Sequence, residues 1–330
     1  MMRSPLRVAV IGIGHLGSRH AQIYAAMPGV RLEAVCDIDP GRARAAARAL
    51  RCRAVTDVRR LRGAVDAASL AVPTSLHAAI GVPLLRQGVH LLIEKPIAAT
   101  LPQADALLRE ATRRGCVLQV GHIERFNAAI EAARRHLRHP RFIEIHRLSP
   151  YPFRGTDVSV VLDVMSHDLD LLLALVKRPP ARIDAVGVSV LSRSEDIANA
   201  RLSFAGGCVA NLTASRISDE AVRRFRVFQE DSYLSIDSKA QTVELACLRP
   251  ASERGRQARK RGAGIRRVHL PVNRRPPLQD ELAAFIRSVR TGHPPAVSGA
   301  EGRAALALAL RIEQAMRRAR RLRPASRSPR

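Results

Sequence analysis

The sequence predicts an α/β protein in which a doubly wound parallel sheet is followed by a second domain with a mostly antiparallel sheet. Residues 6–122 alternate short apolar, β-branched runs with alanine-rich helical stretches, which is the pattern of repeated βαβ units. After residue 121 the rhythm changes to consecutive strand-like runs, and a length of 330 residues suggests about two domains. We therefore expect one domain over residues 1–122, a second over 123–316 and a basic, disordered tail over 317–330.

The first domain is expected to contain six parallel strands joined by crossover helices. Several of the helical stretches are closed by glycine, a usual residue at helix C-termini. The expected strands are LRVAVIG (6–12), RLEAVCD (31–37), the run around Val55, VDAASLAV (65–72), VHLLIEK (89–95) and VLQVG (117–121). The expected helices are AQIYAAM (21–27), PGRARAAARAL (40–50), SLHAAIGVPLLRQG (75–88) and PQADALLREATRRG (102–115).

The second domain is expected to hold a helix near residues 127–137, an apolar helix around 160–176 and a series of strands separated by turn residues. Strands that follow one another without intervening helices favour antiparallel pairing. The expected strands are RFIEIHRLS (141–149), RIDAVGVSVLS (182–192), NARLSFA (199–205), CVANLTAS (208–215), RRFRVFQ (223–229), SYLSID (232–237) and QTVELACL (241–248). Two further helices are expected near 278–290 and 299–320.

The formal net charge of +26 raises nucleic acid or an anionic membrane as a partner. Two glycine-, proline-, serine- or arginine-rich stretches, residues 249–275 and 317–330, carry 16 of these charges. With 3% aromatic residues and no Trp, no stacking platform accompanies the charge, so nucleic-acid binding is disfavoured.

Cysteine usage and hydropathy indicate the compartment. The five cysteines are widely spaced and none lies in a metal-ligand spacing, which favours reduced thiols and predicts no metal site. No run reaches the roughly 18 apolar residues that a membrane-spanning helix needs, and the N-terminus runs straight into a strand. We expect a soluble, untargeted, cytoplasmic protein with no membrane span.

The first motif that carries chemistry is Gly12-Ile13-Gly14-His15-Leu16-Gly17, which lies between a strand and a helix. In this context a GxGxxG motif binds a dinucleotide: the first glycine makes the turn, the second admits the pyrophosphate and the third allows close helix packing. Asp37 ends the next strand, twenty residues after Gly17, where a carboxylate binds a ribose 2′-hydroxyl and repels a 2′-phosphate. NAD is therefore favoured over NADP, although Arg42 and Arg44 leave some tolerance for the latter.

Two further motifs supply candidate proton-transfer groups. Glu94-Lys95-Pro96 ends a strand and places a cation at the sheet edge where ligands bind, although such a lysine is often only a solvated charge. Asp163 and His167 lie four residues apart in an apolar helix, so both side chains are expected on one face. Burying both without a function would be costly, yet a core histidine with satisfied hydrogen bonds stays open as an alternative.

The segment from Gly121 to Asn127 follows the last strand of the first domain and is expected at the domain junction. Arg125 is a candidate for holding a substrate phosphate. Asn127 is either a substrate ligand or simply the N-cap of the following helix.

Taken together, these motifs resemble the glucose-fructose oxidoreductase and inositol dehydrogenase family (Gfo/Idh/MocA). The resemblance rests on GIGHLG, Asp37, Val72-Pro73 with His77, Glu94-Lys95-Pro96 and DVMSH at 163–167, in the family's order, and covers residues 7–316. It implies a Rossmann domain followed by an open-faced α+β domain, whose sheet commonly forms a homodimer or homotetramer interface.

The resemblance also implies the roles of individual residues. Lys95, Asp163 and His167 fall on the family's catalytic lysine, aspartate and histidine. The expected substrate ligands are Lys95, Arg125, Asn127 and His167. The expected cofactor ligands are Gly12, Ile13, Gly14, His15, Leu16, Gly17, Asp37, Val72, Pro73, His77, Glu94 and Lys95.

Within the family, GHIERFN followed by LDVMSHDLDLLL most resembles members that oxidise the 3-hydroxyl of UDP-N-acetylglucosamine or its uronic acid, supplying a 3-keto sugar to an aminotransferase for lipid A. Ala128 stands where these members usually have proline, and the arginine-rich stretch at 249–275 is not typical of them. His167 is expected to take the hydroxyl proton while Lys95 polarises the oxygen, and the exchange of these two roles stays open. The alternatives are an inositol, polyol or free-sugar dehydrogenase of the same family and a non-catalytic regulator or nucleic-acid binder.

Overall fold

The structure is a computed structural model that describes residues 4–151, 159–248 and 265–321. The chain forms two compact units, one of residues 1–123 with 276–306 and the other of residues 124–275 with 307–330. We assigned residues 276–306 to the second domain, and in these units they group with the first.

The first unit is built on a six-stranded parallel sheet, as predicted. Its elements are β1 (Leu6–Ile11), α1 (His15–Ala26), β2 (Val30–Cys36), α2 (Pro40–Leu50), β3 (Arg53–Val55), β4 (Ala67–Leu70), α3 (His77–Arg86), β5 (His90–Glu94), α4 (Leu101–Arg114) and β6 (Leu118–Gly121). The strand order is β3-β2-β1-β4-β5-β6, and every neighbouring pair is parallel. The chain therefore changes winding direction between β1 and β4, the place where open α/β sheets bind ligands.

Local sequence signals explain where these helices begin and end. The Asp39 carboxylate caps α2 by accepting the N–H groups of Gly41 at 2.8 Å and Arg42 at 3.0 Å. Thr100 caps α4 in the same way, and Gly115 ends that helix in the left-handed conformation, with φ of 62°. The end of α4 at Gly115 matches the glycine signal of the sequence.

The second unit contains an eight-stranded sheet in which only one pair of neighbouring strands is parallel. Its elements are α5 (Ala128–Arg134), β7 (Phe142–Leu148), α6 (Ser166–Val176), β8 (Arg182–Val188), β9 (Ile197–Ser203), β10 (Val209–Ser215), β11 (Val222–Phe228), β12 (Ser232–Asp237), β13 (Thr242–Leu248) and β14 (Ile265–His269). The order is β14-β13-β12-β11-β7-β10-β9-β8, with β7 and β10 parallel. The mostly antiparallel sheet is as predicted.

Alternating side chains give this sheet one buried and one open face. On β9, Ala198, Ala200 and Leu202 are buried whereas Asn199 and Arg201 are exposed. The buried face joins a core that includes residues of α5 and α6. The helix α6 starts without a side-chain N-cap. A π-helical turn, Val161–Met165, leads directly into it and continues the helical backbone.

Two helices complete the described chain: α7 (Pro277–Thr291) and α8 (Gly299–Arg321). Leu282, Phe285 and Ile286 of α7 pack into the apolar core of the first unit. The helix α8 continues to Arg321, so residues 317–321 of the predicted disordered tail are helical, and residues 322–330 lie outside the described residues. No helix among the described residues is long and apolar enough to cross a membrane.

The basic stretch at 249–275 contains a strand that the sequence analysis did not predict. Ile265–His269 forms β14, which pairs antiparallel with β13 at the edge of the sheet. Consecutive arginines, Arg266 and Arg267, both exposed, interrupt the alternation that would have revealed it. Residues 249–264 of this stretch lie outside the described residues.

A fully buried ion pair links the residue after β10 to the residue before β9. The Arg216 guanidinium contacts the Asp196 carboxylate at 3.0 Å, and neither side chain is exposed. Asp196 also accepts the N–H groups of Val190, Leu191 and Ser192 at 2.7 to 2.9 Å. Burial opposes the charge, but the hydrogen bonds from the Ser192 hydroxyl, at 2.7 Å, and from these N–H groups outweigh burial and hold the pKa of Asp196 well below its usual range.

Removing one partner of this pair is expected to destabilise the protein strongly. Arg216→Ala leaves a buried carboxylate without its cation, which costs about 3–5 kcal/mol of unfolding free energy. Arg182→Ala is the matched control, since it breaks an exposed pair with Asp184 and costs about 1 kcal/mol or less. Urea unfolding measures both, and similar losses for the two variants would contradict this account.

Candidate functional site

Two of the three glycines in the turn after β1 could not carry a side chain without a steric clash. Gly12 has φ of +88°, and a Cβ there would lie 2.5 Å from the carbonyl oxygen of Ala71. A Cβ on Gly17 would lie 1.8 Å from the Gly12 carbonyl oxygen, so α1 can pass this close to the turn only without a side chain. The turn and close-packing roles expected from the sequence are therefore present.

The third glycine, Gly14, borders open space. A Cβ built on it meets no atom within 4 Å, and Gly14 is exposed and serves as the N-cap of α1 without a side-chain hydrogen bond. The residues that follow, His15 and Leu16, begin a helix whose first turn carries no acidic residue. A helix N-terminus with accessible N–H groups and room in front of it fits a pyrophosphate.

Asp37 follows β2 and is bound to the glycine-rich turn. Its Oδ2 accepts the backbone N–H of Ile13 at 2.7 Å, and its Oδ1 accepts the N–H of Asp39 at 3.0 Å. The Arg42 guanidinium lies 3.4 Å from Oδ2. A carboxylate has further lone pairs for a ribose hydroxyl, so this position fits the expected cofactor role while also fixing the turn.

The next strand leads into Val72 and Pro73, and His77 holds this loop. The His77 ring is fully buried, with Nε2 3.0 Å from the Val72 carbonyl oxygen and Nδ1 3.0 Å from the Pro96 carbonyl oxygen. Burial lowers the pKa of His77, and the neutral ring donates to one of the two oxygens. We expected His77 to bind cofactor, but its ring engages the two loops that follow β4 and β5.

Glu94 and Lys95 lie at the carboxyl end of β5, and the Lys95–Pro96 peptide bond is cis. The Lys95 N–H donates to Glu94 Oε2 at 3.3 Å, and the Glu94 side chain is almost entirely buried whereas Lys95 is half-buried. Because β1, β4 and β5 are neighbours, the glycine-rich turn, Val72 and Lys95 share one edge of the sheet. The structure thus groups the predicted cofactor ligands of the first unit at the change in winding direction.

The second unit carries Asp163 and His167, both half-buried. Asp163 lies in the π-helical turn and His167 in the first turn of α6, so the two residues share one continuous helix but not the uninterrupted α-helix that we expected. A π-helical turn inside an α-helix frequently marks a functional site.

The other two expected substrate ligands are engaged within the second unit. The Arg125 guanidinium forms two hydrogen bonds with Asp170, at 2.6 and 2.9 Å. Asn127 caps α5 by accepting the Ala129 N–H at 3.0 Å, and its amide donates to the Ser238 carbonyl oxygen at 2.8 Å. The N-cap alternative for Asn127 is therefore observed, and the Arg125 guanidinium is paired with a carboxylate.

The sequence analysis missed a buried charge cluster beside His167. Arg147 contacts Asp168 at 2.7 Å and Glu124 at 2.9 Å, and Arg223 lies 3.6 Å from Glu124. Burial disfavours the charge on Arg147, but the two carboxylates outweigh burial and raise its pKa. Together with the pair formed by Asp170, these contacts fix the first turn of α6, which carries His167. The sign of this cluster in the sequence is Arg147, a basic residue at a buried position of β7.

Both parts of the chain match known protein families. Residues 6–122 match a family described as an oxidoreductase family with an NAD-binding Rossmann fold (Gfo/Idh/MocA). Residues 128–235 match the Gfo/Idh/MocA C-terminal domain.

Individual relatives extend the match over nearly the whole chain. UDP-N-acetylglucosamine 3-dehydrogenase of Acidithiobacillus ferrooxidans is 38% identical over 94% of this chain and 97% of that protein. Its solved structure has a TM-score of 0.86 over the same shares of the two chains. Myo-inositol 2-dehydrogenase of Thermotoga maritima is 25% identical over 92% of this chain and 94% of that protein. A levoglucosan dehydrogenase in complex with NADH and levoglucosan, 20% identical, shares the fold with a TM-score of 0.81 over 95% of this chain and 97% of that one.

The steric difference between Gly17 and Gly14 predicts that alanine destabilises the protein at the first position and not at the second. Gly17→Ala forces a Cβ against the Gly12 carbonyl oxygen and should cost about 1–3 kcal/mol, as other overpacked substitutions do. Gly14→Ala meets no neighbour and should stay within about 0.5 kcal/mol of the parent protein. Urea unfolding of both variants checks this, and equal stability of the two would refute the close helix packing inferred here.

Proposed function

Because the chain belongs to the Gfo/Idh/MocA family of oxidoreductases, we propose that it uses NAD to oxidise the 3-hydroxyl of UDP-N-acetylglucosamine or a related UDP-sugar. The observation that carries the proposal is the shared sheet edge. There the Asp37 carboxylate, the glycine-rich turn and Lys95 follow β2, β1 and β5 of one parallel sheet. The substrate class rests on the relative that is 38% identical and is named for this reaction.

NAD supplies a hydride acceptor when it is bound. The open space at Gly14 and the N-terminus of α1 accommodate the pyrophosphate, and Asp37 accepts a hydrogen bond from the adenosine ribose. A carboxylate repels a phosphate group, so Asp37 selects against the 2′-phosphate of NADP. Arg42, 3.4 Å from Asp37, neutralises part of that repulsion.

The proton is handled by the side chains that the family resemblance assigns to catalysis. His167 takes the proton of the sugar hydroxyl, Lys95 polarises its oxygen and Asp163 orients the base. The reverse assignment, with Lys95 as the base, uses the same three side chains. The ion pairs of Asp168 and Asp170 support this proposal because they fix the helix turn on which His167 lies.

The proposal extends to the setting of the reaction. The product is a 3-keto sugar, a substrate that an aminotransferase would consume in the synthesis of lipid A or another envelope sugar. We place the enzyme in the cytoplasm, where the nucleotide-sugar and NAD are available. We also propose a homodimer or homotetramer formed through the open face of the eight-stranded sheet. Oxidation of inositol, another polyol or a free sugar is the second candidate, favoured by the likeness to the inositol dehydrogenase.

The activity test combines the purified protein, NAD⁺, UDP-N-acetylglucosamine and a carbonyl trap, with reduced-nicotinamide absorbance as the readout. His167→Ala and Lys95→Ala should each lower kcat about 10²- to 10⁴-fold, because each removes a proton-transfer or polarising group. His293→Ala and Lys239→Ala are controls at exposed positions and should leave kcat within about twofold of the parent protein.

The outcomes of this test separate the candidates. Reduction with inositol but not with the UDP-sugar would move the assignment to the polyol dehydrogenases. Unchanged turnover in His167→Ala would rule out its role as the base. Absence of NAD⁺ binding altogether would favour the regulatory alternative.

Cofactor choice has a separate test at Asp37. Asp37→Asn keeps an oxygen that accepts the Ile13 N–H but removes the negative charge, so the preference for NAD over NADP should fall about tenfold or more. Asp39→Asn, which keeps a good N-cap on α2, is the control and should leave the preference unchanged. Dissociation constants from titration calorimetry give the ratio, and an unaltered ratio in Asp37→Asn would mean that the carboxylate does not discriminate.

A further inference from the structure

A group of buried polar side chains lies in the otherwise apolar layer between the parallel sheet and the helices α1 and α7. It contains three ionisable groups, His20 of α1, Glu94 of β5 and Glu281 of α7, whose ligand atoms all lie within 4.8 Å of one another. His20 and Glu281 are 0% exposed and Glu94 is 8% exposed. We call these three residues the buried triad. Our sequence analysis predicted neither His20 nor Glu281 as functional.

The triad is surrounded by neutral polar groups and by apolar core. Tyr24, one turn after His20 on α1, hydrogen-bonds to Ser69 of β4 at 2.9 Å. Gln119 of β6 donates to the Glu281 carbonyl oxygen at 3.2 Å. Burial raises the pKa of Tyr24 above its usual range, so the phenol stays neutral. The charged groups that face one another from α1, β5 and α7 are therefore His20, Glu94 and Glu281.

Glu94 connects the triad to the candidate catalytic lysine. Its Oε1 lies 3.3 Å from His20 Nε2, and its Oε2 accepts the backbone N–H of Lys95 at 3.3 Å. The carboxylate also lies directly over Gly121, where a Cβ would come within 2.8 Å of it. Each oxygen of Glu94 thus has a distinct partner, one on α1 and one at the start of the Lys95–Pro96 loop.

An ionised carboxylate buried among apolar groups is strongly disfavoured unless a positive charge lies beside it. The His20 ring lies 3.3 Å from Glu94 and within 4.8 Å of a Glu281 oxygen, so an imidazolium at this place stabilises the charge on both carboxylates. Holding the proton on His20 keeps Glu94 ionised and oriented toward Lys95.

We propose that His20 and Glu281 are positioning residues for Lys95. His20 carries two protons and holds the Glu94 carboxylate, Glu281 holds His20 from α7, and Glu94 fixes the Lys95 peptide through its N–H. The side chains of His20 and Glu281 act through Glu94 and do not touch substrate. The kinetic consequence rests on the proposed dehydrogenase function, whereas the placement of Lys95 does not.

The placement of Lys95 is measurable without any substrate. The chain contains only four lysines, Lys95, Lys177, Lys239 and Lys260, so reductive methylation with ¹³C-formaldehyde gives few lysine resonances, and Lys95→Arg assigns the one of interest. His20→Asn and Glu281→Gln should both move the Lys95 resonance while those of Lys177 and Lys239 stay in place. Tyr24→Phe removes a hydroxyl from the same layer but no member of the triad, and it should leave the Lys95 resonance unchanged.

Kinetics provide the second readout. His20→Asn and Glu281→Gln should lower kcat about 10- to 100-fold, because a reacting group displaced by up to about one ångström reacts more slowly. KM for NAD⁺ should change less than about threefold. The pH dependence of kcat should also change in His20→Asn but not in Tyr24→Phe. A loss of stability alone would not lower kcat while leaving KM for NAD⁺ nearly unchanged.

Three results would overturn the proposal. One is a folded His20→Asn protein with an unmoved Lys95 resonance and normal kcat. Another is ¹⁵N-histidine NMR that assigns a neutral ring to His20. The last is about one equivalent of bound metal in the purified parent protein and none in His20→Asn, because a metal ion in the buried triad would then take the place of the His20 proton. If no sugar is oxidised by the parent protein, the proposed function fails, while the lysine resonances still decide the placement.

Discussion

The hydrogen bond from the Ile13 N–H to the Asp37 carboxylate is the constraint on which the candidate cofactor site depends. It joins the turn after β1 to the end of β2 across the sheet edge, at 2.7 Å and with both residues buried. With the turn fixed there, α1 must pass within contact distance of the Gly12 carbonyl oxygen, which only glycine at position 17 permits. The helix N-terminus then opens at Gly14. One carboxylate therefore fixes the turn that lies in front of the α1 N-terminus.

In the second unit, ion pairs position the candidate base. Asp168 and Asp170 follow His167 in the sequence and form ion pairs with Arg147 and Arg125 from two other segments. Breaking either pair leaves a buried charge, so the first turn of α6 has little freedom to rotate. Arg125, which we expected to hold a substrate phosphate, forms one of these two ion pairs.

Much of the first unit could be predicted from the sequence because its signals are local. The Gly12 and Gly17 requirements follow from the motif itself, and β1 to β6 follow from short apolar runs. Features that depend on distant partners were not predictable. The buried triad joins residues 20, 94 and 281, and residues 276–306 group with the first unit through packing of α7, which no local pattern reveals. The π-helical turn at Asp163 was missed since its apolar spacing is also that of an ordinary α-helix.

The two edges of the eight-stranded sheet differ in their resistance to unwanted pairing with other chains. On β8, Val186 and Val188 are exposed on a strand that has one neighbour, a combination that favours edge-to-edge aggregation. The opposite edge, β14, presents Arg266 and Arg267, whose charges repel a second copy of the same strand. Among the described strands, arginines therefore protect the β14 edge from self-pairing, whereas the valines of β8 leave the other edge less protected.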